Sequence, residues 1–257
     1  MVKAIFFDID GTLVSFKTHR LPESTVWALD RLREKGVRLF IASGRQKRFI
    51  NNLGTQEFDG YVTLNGGYCL AGADKPIYKH RIPPEDIAAL IRYQEEVEPF
   101  PCALVEEEET YLNYANETTE TIGRMLNFDP PVRPLSENRG KDVFQLIAYF
   151  GEGEERRIMS VLPHCEATRW NPLFADVIPA GSSKAVGIDK MLAYFGISLA
   201  DTMAFGDGGN DVSMLRHVGI GVAMGNAGDE ARRAADYVTT SVDEDGILNA
   251  LRHFGVI

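Results

Sequence analysis

Four aspartates of this sequence lie in two short motifs, and each motif directly follows an apolar run. Residues 4–7 (AIFF) lead into DIDGT at 8–12, and residues 203–205 (MAF) lead into GDGGND at 206–211. In extended backbone Asp8 and Asp10 project to the same side, where their charges repel each other unless a cation lies between them. Asp207 and Asp211 would add two carboxylates, and hard oxygen ligands without histidine or cysteine favour magnesium.

Both motifs also have a purely structural interpretation. Aspartates are common in turns and at helix starts, so Asn210 and Asp211 could simply cap the next helix. The spacing does not match the DxDxDG pattern of a calcium-binding loop. The first motif alone leaves both interpretations open, and the second carboxylate pair favours a metal site.

Two further positions are suited to binding an anion. Ser43 and Gly44 follow the apolar run 39–42 and open a predicted helix, where a hydroxyl and free backbone amides favour anions. The same dipeptide is also a common turn. Lys184 begins another predicted helix, and a cation at a helix N-terminus is unfavourable unless an anion lies beside it. The position of Lys184 therefore favours a functional role for this residue.

The elements that carry these residues have the pattern of a doubly wound α/β core. Unbroken apolar runs are typical of strands buried on both faces of a parallel sheet; they lie at 4–7, 39–42, 61–64, 203–205 and 220–223. Helical patterns separate them, and glycines 36 and 196 are placed to end two of the helices. Ligands of such sheets bind at the carboxyl ends of the strands, which is where these polar motifs lie.

The middle of the chain has a different pattern. Helices are predicted at 85–96, 117–126 and 152–162, and strands at 102–106, 110–114, 143–149, 164–170 and 174–178. The order α-β-β-α-β-α-β-β predicts a smaller α+β domain inserted into the core. We therefore expect a Rossmann-like domain formed by 1–81 and 179–257, and an inserted domain formed by 82–178.

The composition of the chain argues against several classes of binding partner and of structural site. The net charge of −10 argues against binding to nucleic acid or to anionic membranes, and an anionic substrate would need local neutralisation. The three cysteines are far apart and odd in number, which argues against a disulfide framework or a zinc site. Neither a secretion signal nor a membrane-length apolar run is found, so we expect a cytoplasmic protein.

Taken together, DxDGT at 8–12, Ser43, Lys184 and GDxxND at 206–211 resemble the four motifs of the haloacid dehalogenase superfamily, in the same order. The inserted domain resembles the cap of its Cof-like sugar-phosphatase branch. The resemblance covers essentially the whole chain. It implies a Mg²⁺-dependent phosphatase that acts on small phosphorylated metabolites, with sugar phosphates as the expected class, and we expect a monomer.

The resemblance also implies residue roles. Asp8 would be the nucleophile that forms an aspartyl-phosphate, and Asp10 would protonate the leaving group and then activate water. Magnesium would bind the carboxylates of Asp8 and Asp207 and the backbone carbonyl of Asp10, with support from Asp211 and Asn210. The phosphate would be held by Gly11, Thr12, Ser43, Gly44 and Lys184. The candidate substrate contacts are Arg45, Asn65, Arg169, Trp170 and Asp176.

Three alternatives share some of these features. A phosphosugar mutase would use the same nucleophile but usually has a smaller cap near the first motif. A receiver-type signalling domain has an acidic pocket but no inserted domain, and it needs no acid at Asp10. A non-catalytic sugar-phosphate binding protein would tolerate loss of Asp8 or Asp10, and both are present. Hydrolysis is therefore the preferred interpretation.

Overall fold

The structure is a computed structural model that describes residues 1–126 and 128–257, with the side chains of Leu126 and Trp170 outside the description. The chain divides into two compact units. The larger unit contains Met1–Lys79 and Ser183–Ile257, and the smaller unit contains His80–Ser182.

The regular elements are as follows. The strands are β1 (Ala4–Phe7), β2 (Arg38–Ala42), β3 (Gly60–Thr63), β4 (Tyr68–Ala71), β5 (Lys75–Lys79), β6 (Cys102–Glu106), β7 (Thr110–Leu112), β8 (Val143–Ala148), β9 (Cys165–Asn171), β10 (Phe174–Pro179), β11 (Thr202–Gly206), β12 (Ile220–Ala223) and β13 (Tyr237–Val238). The helices are α1 (Glu23–Glu34), α2 (Pro84–Glu96), α3 (Glu117–Leu126), α4 (Glu152–Met159), α5 (Lys184–Phe195), α6 (Val212–His217), α7 (Asp229–Ala234) and α8 (Gly246–His253).

The larger unit is built on an eight-stranded sheet in the order β13-β12-β11-β1-β2-β3-β4-β5. The strands from β13 to β3 are parallel, and β4 and β5 extend the sheet in antiparallel pairing. Successive residues of β1 point to opposite faces. Ile5 and Phe7 belong to the core that includes residues of α1 and α8, whereas Phe6 belongs to the core that includes residues of α5.

Local sequence features position the helices of this unit. Helix α1 is followed by Gly36 in a left-handed conformation, φ 74°, which a glycine adopts without strain. Helix α5 starts after Ser183, whose hydroxyl accepts a hydrogen bond from the Val186 amide at 3.3 Å. It ends at Gly196, φ 66°. The predicted α/β class with a parallel sheet is confirmed.

The smaller unit is a five-stranded antiparallel sheet in the order β7-β6-β8-β10-β9. Apolar residues of α2 and α4, such as Ile87 and Ile158, share a core with Leu104, Leu146 and Val177 on one face of this sheet. The element order matches the predicted α-β-β-α-β-α-β-β. The predicted second, α+β layer is therefore confirmed.

None of the described helices combines the length and apolar character needed to cross a bilayer. The longest described helix, α2, has 13 residues, whereas a membrane-spanning helix needs about 20.

Candidate active site

Three carboxylates meet at the carboxyl ends of β1 and β11. Asp8 follows β1, Asp207 follows β11, and Asp211 lies in the short 3₁₀ turn that precedes α6. One oxygen from each carboxylate lies within 4.8 Å of the others. The two strands are paired in parallel, Phe7 opposite Phe205, so their ends lie side by side. The topology therefore brings together residues about 200 positions apart in the sequence.

A buried lysine neutralises part of this cluster. The Lys184 ammonium donates hydrogen bonds to Asp8 Oδ1 at 2.6 Å and to Asp211 Oδ1 at 2.5 Å. Lys184 is 1% exposed and Asp211 is fully buried. Burial alone would lower the pKa of Lys184, but the charges of Asp211 and Asp8 outweigh it and raise that pKa. Lys184 is therefore held as a permanent cation.

The remaining charge of the cluster is negative, because one ammonium faces three carboxylates. Burial raises the pKa of Asp8 to about 7. The charge of Lys184 opposes this shift, whereas the charges of Asp211 and Asp10 add to it. Burial, followed by the charge of Asp8, raises the pKa of Asp207 to about 8. A hard divalent cation would remove this conflict, and an all-oxygen donor set of this size fits such a cation.

Asp211 also organises the loop that carries Asp207. Its Oδ2 accepts hydrogen bonds from the backbone amides of Asp207 at 2.9 Å and Gly208 at 2.8 Å. A side chain at Gly206 could not be accommodated, since its Cβ would lie 2.6 Å from side-chain carbons of Asp211. The glycine at position 206 thus allows the Asp211 side chain to fold back over the loop that carries Asp207.

The turn after β1 brings Gly11 and Thr12 against Asp207. The Thr12 hydroxyl donates to Asp207 Oδ1 at 2.8 Å. Gly11 has φ 85°, and a Cβ at this position would lie 2.3 Å from Asp207 Oδ2. We predicted both residues in the phosphate site from the sequence; in the structure the Thr12 hydroxyl holds a carboxylate of the cluster.

Asp10 is paired with Arg45 and lies outside the three-carboxylate cluster. The guanidinium donates from Nε to Asp10 Oδ2 at 2.7 Å and from Nη2 to Oδ1 at 2.8 Å. Arg45 is itself held through Nη1 by the carbonyl of Phe49 at 3.0 Å. Strand β1 ends at Phe7 and the chain then turns, so the extended geometry expected for the Asp8–Asp10 pair does not persist. The third carboxylate beside Asp8 and Asp207 is Asp211.

The loops after β2 and β3 are joined next to this cluster. Ser43 is buried, and its hydroxyl accepts a hydrogen bond from the Arg45 amide at 3.2 Å. Asn65 Oδ1 accepts from Asn210 Nδ2 at 3.0 Å, and a Cβ on Gly44 would lie 3.1 Å from the same oxygen. Asn65 has a left-handed backbone, φ 52°. Asn65 therefore connects the β3 loop to the loop that follows β11.

Asn226 is a residue of this region that the sequence analysis missed. Its Nδ2 donates to the Gly11 carbonyl at 2.8 Å and lies 3.4 Å from Asp207 Oδ2, while its Oδ1 accepts from the Val242 amide at 2.9 Å. Asn226 follows β12. A search for polar residues after the apolar run 220–223 would therefore have identified it. Asn226 ties a third strand end to the carboxylate cluster.

The candidate substrate contacts in the smaller unit have hydrogen-bond partners within that unit. The Arg169 guanidinium donates to the carbonyls of Phe150 and Phe174, both at 3.0 Å, and to Glu155 Oε2 at 2.9 Å. These contacts bind Arg169 to its own unit. Asp176 is 6% exposed and accepts a hydrogen bond from Gln145. The predicted contact through the Trp170 side chain lies outside the described residues.

The family model described as haloacid dehalogenase-like hydrolase matches residues 5–251. The chain belongs to this family. It is 37% identical to the putative phosphatase YkrA of Bacillus subtilis, over 99% of this chain and 98% of the relative. A solved structure described as the HAD subclass IIB sugar phosphatase BT4131 superposes with a TM-score of 0.90 at 45% identity, over 100% of both chains.

A second phosphatase structure, BT1666 from Bacteroides thetaiotaomicron, superposes with a TM-score of 0.93 at 39% identity, over 100% of this chain and 96% of that one. These similarities extend over the inserted unit as well as the core. The predictions of the superfamily, of its Cof-like branch and of a phosphatase are therefore confirmed.

Proposed function

We propose that this protein is a magnesium-dependent phosphomonoester hydrolase that acts on small phosphorylated metabolites, principally sugar phosphates, through an aspartyl-phosphate on Asp8. The observation that carries the proposal is the buried Asp8 carboxylate, held at one oxygen by Lys184 within an all-oxygen acidic cluster. This arrangement supports a nucleophile in a site that is prepared for a cation and a phosphate.

In the first step an oxygen of Asp8 attacks phosphorus, and the bond from phosphorus to the leaving oxygen breaks. Lys184 neutralises charge shared by Asp8 and the phosphoryl group. Magnesium, held by the carboxylates of Asp8 and Asp207 and by the backbone carbonyl of Asp10, would supply further charge stabilisation. Asp211 keeps Lys184 and the Asp207 loop in place.

Asp10 is proposed to give its proton to the leaving oxygen and then to take a proton from the water that hydrolyses the aspartyl-phosphate. The two bonds from Arg45 fix the plane of the Asp10 carboxylate. Transfer to the leaving oxygen therefore requires Asp10 to turn away from at least one of them. The second hydrogen bond would keep the Asp10 carboxyl group oriented during the transfer, and Arg45 is therefore proposed as a positioning residue for the general acid.

The phosphoryl oxygens would be bound by the Ser43 hydroxyl, by Lys184 and by backbone amides near Gly11 and Gly44. Asn65 and Asn210 support these loops through their shared hydrogen bond. The smaller unit is proposed to act as the cap that selects the substrate. The relative BT4131, described as a sugar phosphatase, supports sugar phosphates as the substrate class. The cytoplasmic location and the monomeric state remain predictions.

The test measures inorganic phosphate released from p-nitrophenyl phosphate and from sugar phosphates, with magnesium or with excess chelator. We expect turnover only with magnesium, and we expect Asp8→Asn to lower kcat by more than about 1000-fold, since the nucleophile is lost. Asp30→Asn, at a surface position of α1, is the control and should retain wild-type turnover. Substantial turnover by Asp8→Asn, or turnover unaffected by the chelator, would disprove the proposal. Conversion of a sugar phosphate to an isomer without phosphate release would indicate a mutase.

A further inference from the structure

Asn226 lies on the loop after β12 and joins three separate segments of the larger unit. Its Nδ2 donates to the Gly11 carbonyl at 2.8 Å and lies 3.4 Å from Asp207 Oδ2. Its Oδ1 accepts a hydrogen bond from the Val242 amide at 2.9 Å. One side-chain amide therefore contacts the turn after β1, the loop after β11 and the 3₁₀ turn that begins at Val242.

These contacts determine which end of the Asn226 amide faces Asp207. The Val242 amide is a donor and requires an acceptor, and Val242 is fixed in the core of the unit with 4% exposure. The other end of the side chain meets the Gly11 carbonyl and the Asp207 carboxylate, which accept hydrogen bonds. The reverse orientation would place donor against donor and acceptor against acceptor. Asn226 must therefore present its NH₂ group to Asp207, although the residue itself is exposed.

The Asp207 carboxylate is thus restrained at both oxygens. The Thr12 hydroxyl donates to Oδ1 at 2.8 Å, and the Asn226 amide approaches Oδ2. Gly11 packs against the same carboxylate, since a Cβ at Gly11 would lie 2.3 Å from Oδ2. Rotation of the carboxylate about the bond to its carbon would lengthen both hydrogen bonds. Groups outside the three-carboxylate cluster therefore set the plane of this carboxylate.

Asn226 also restrains the backbone next to Asp10. The Gly11 carbonyl is held by Asn226, and the Gly11 amide donates to the Val14 carbonyl at 2.9 Å. Because peptide groups are planar, the Gly11 amide and the Asp10 carbonyl belong to one rigid plane. Gly11 has φ 85° and as a glycine could adopt many other conformations. The direction of the Asp10 carbonyl therefore depends on the contacts made at Gly11, one of which is the bond from Asn226.

We infer that Asn226 is a positioning residue that raises the affinity of the site for Mg²⁺, because it holds the Asp207 carboxylate and the Asp10 carbonyl in the directions in which both would bind the cation. The inference rests on the proposed function, which assigns the cation to these groups, and deepens it. Mg²⁺ requires near-ideal octahedral geometry, so misdirected ligands weaken its binding. The Asn226 amide carries no charge, so its effect would come from geometry.

The experiment measures the binding of MgCl₂ to the free enzyme by isothermal titration calorimetry, without substrate. Asn226→Ala removes the amide and leaves the charge of the site unchanged. We expect its Kd for Mg²⁺ to rise about tenfold, at the lower end of the effect of such hydrogen-bond partners, because Asn226 is exposed. Asn226→Leu keeps the branched shape of the side chain without its donors and should show a similar rise.

The matched control is Asn249→Ala. Asn249 Nδ2 donates to the Thr240 hydroxyl at 2.9 Å and to the Glu244 carbonyl at 3.0 Å, at the same 3₁₀ turn that Asn226 contacts. Among the described residues, none of its hydrogen bonds reaches the carboxylate cluster. Its Kd for Mg²⁺ should therefore stay within about twofold of the wild-type value.

Two further measurements separate positioning from stability. The Tm in chelator reports any structural loss. The dependence of p-nitrophenyl phosphate hydrolysis on magnesium concentration reports binding by the working enzyme. For Asn226→Ala the half-saturating magnesium concentration should rise by about the same factor as the Kd. The kcat at saturating magnesium should fall by a smaller factor, because excess cation compensates for weaker binding.

The outcomes separate the two proposals. An unchanged Kd for Asn226→Ala, with or without a lower Tm, would show a purely structural role and overturn the inference. An equal rise in Kd for Asn249→Ala would overturn it too, because the effect would then come from the 3₁₀ turn. In both cases magnesium-dependent hydrolysis by the wild-type enzyme would leave the proposed function standing. A wild-type enzyme that neither bound nor required magnesium would overturn both.

Discussion

Removal of the cation should make the stability of the protein depend on pH in a predictable direction. The pKa of Asp8 is raised from 3.8 to about 7, and that of Asp207 from 3.8 to about 8. A folded-state pKa above the unfolded value means that the folded protein binds more protons than the unfolded chain between these limits. Its free energy of unfolding must therefore fall as pH rises through this range.

The size of the effect follows from the same shifts. Between pH 5.5 and 7.5, each carboxylate would lower the free energy of unfolding by about 2 kcal/mol if it titrated independently. Because the two interact, a total of roughly 2 to 4 kcal/mol is expected. For a chain of this size that corresponds to a fall in Tm of roughly 5 to 15 °C.

Bound magnesium should remove most of this slope, since the cation takes the place of the protons. The assay is thermal unfolding followed by circular dichroism at several pH values between 5.5 and 8.5, in chelator and in magnesium. Asp207→Asn serves as the control, because it removes one of the two carboxylates and should flatten the slope in chelator. A difference in Tm between magnesium and chelator that did not grow with pH would refute the electrostatic argument.

Two further predictions concern positioning and backbone geometry. Arg45→Met should lower kcat for alkyl phosphates about 10- to 100-fold and for p-nitrophenyl phosphate much less, because only poor leaving groups need the proton of Asp10; equal losses on both would count against this role. Gly66→Ala should lower the free energy of unfolding measured in urea by about 3 kcal/mol. Gly66 has φ 94°, and a Cβ at this position would lie 1.9 Å from the backbone carbonyl oxygen of Ser183. Gly72→Ala, at φ 61° with nothing within 4 Å, should cost only about 1 kcal/mol, and equal costs would contradict the steric argument.

Much of the core was predictable because it depends on local patterns. The apolar runs before Asp8 and Asp207 identified strands, and parallel strands place their carboxyl ends at one sheet edge. Glycines 36 and 196 mark helix ends as expected. The positions of these carboxylates thus followed from the sequence once the fold class was recognised.

Three strands were missed, β4, β5 and β13, and the last two lack such patterns. Strand β5, KPIYK, lies at the sheet edge, contains a proline and is largely exposed. Strand β13 has only two residues. Neither has the apolar run or the alternation on which a prediction from sequence depends.

The directions of side chains in turns could not be predicted from the sequence either. The pairing of Asp10 with Arg45 depends on the turn that follows β1, and the contact of Thr12 with Asp207 depends on the same turn. Gln145 interrupts the apolar strand VFQLIA, which indicates a buried polar residue but not its partner. Such details arise from tertiary packing, which a periodic pattern does not encode.

The charges of the site suggest an order for binding. When all three clustered carboxylates are ionised, Lys184 neutralises one of them and two negative charges remain, on a chain whose net charge is already −10. A phosphate dianion approaching this cluster would be repelled at short range. A divalent cation would bring the cluster to neutrality, and Lys184 would then lie beside Asp8 to share the charge of the incoming phosphoryl group. We therefore expect the cation to bind before or together with the substrate, because the buried lysine alone neutralises only one carboxylate.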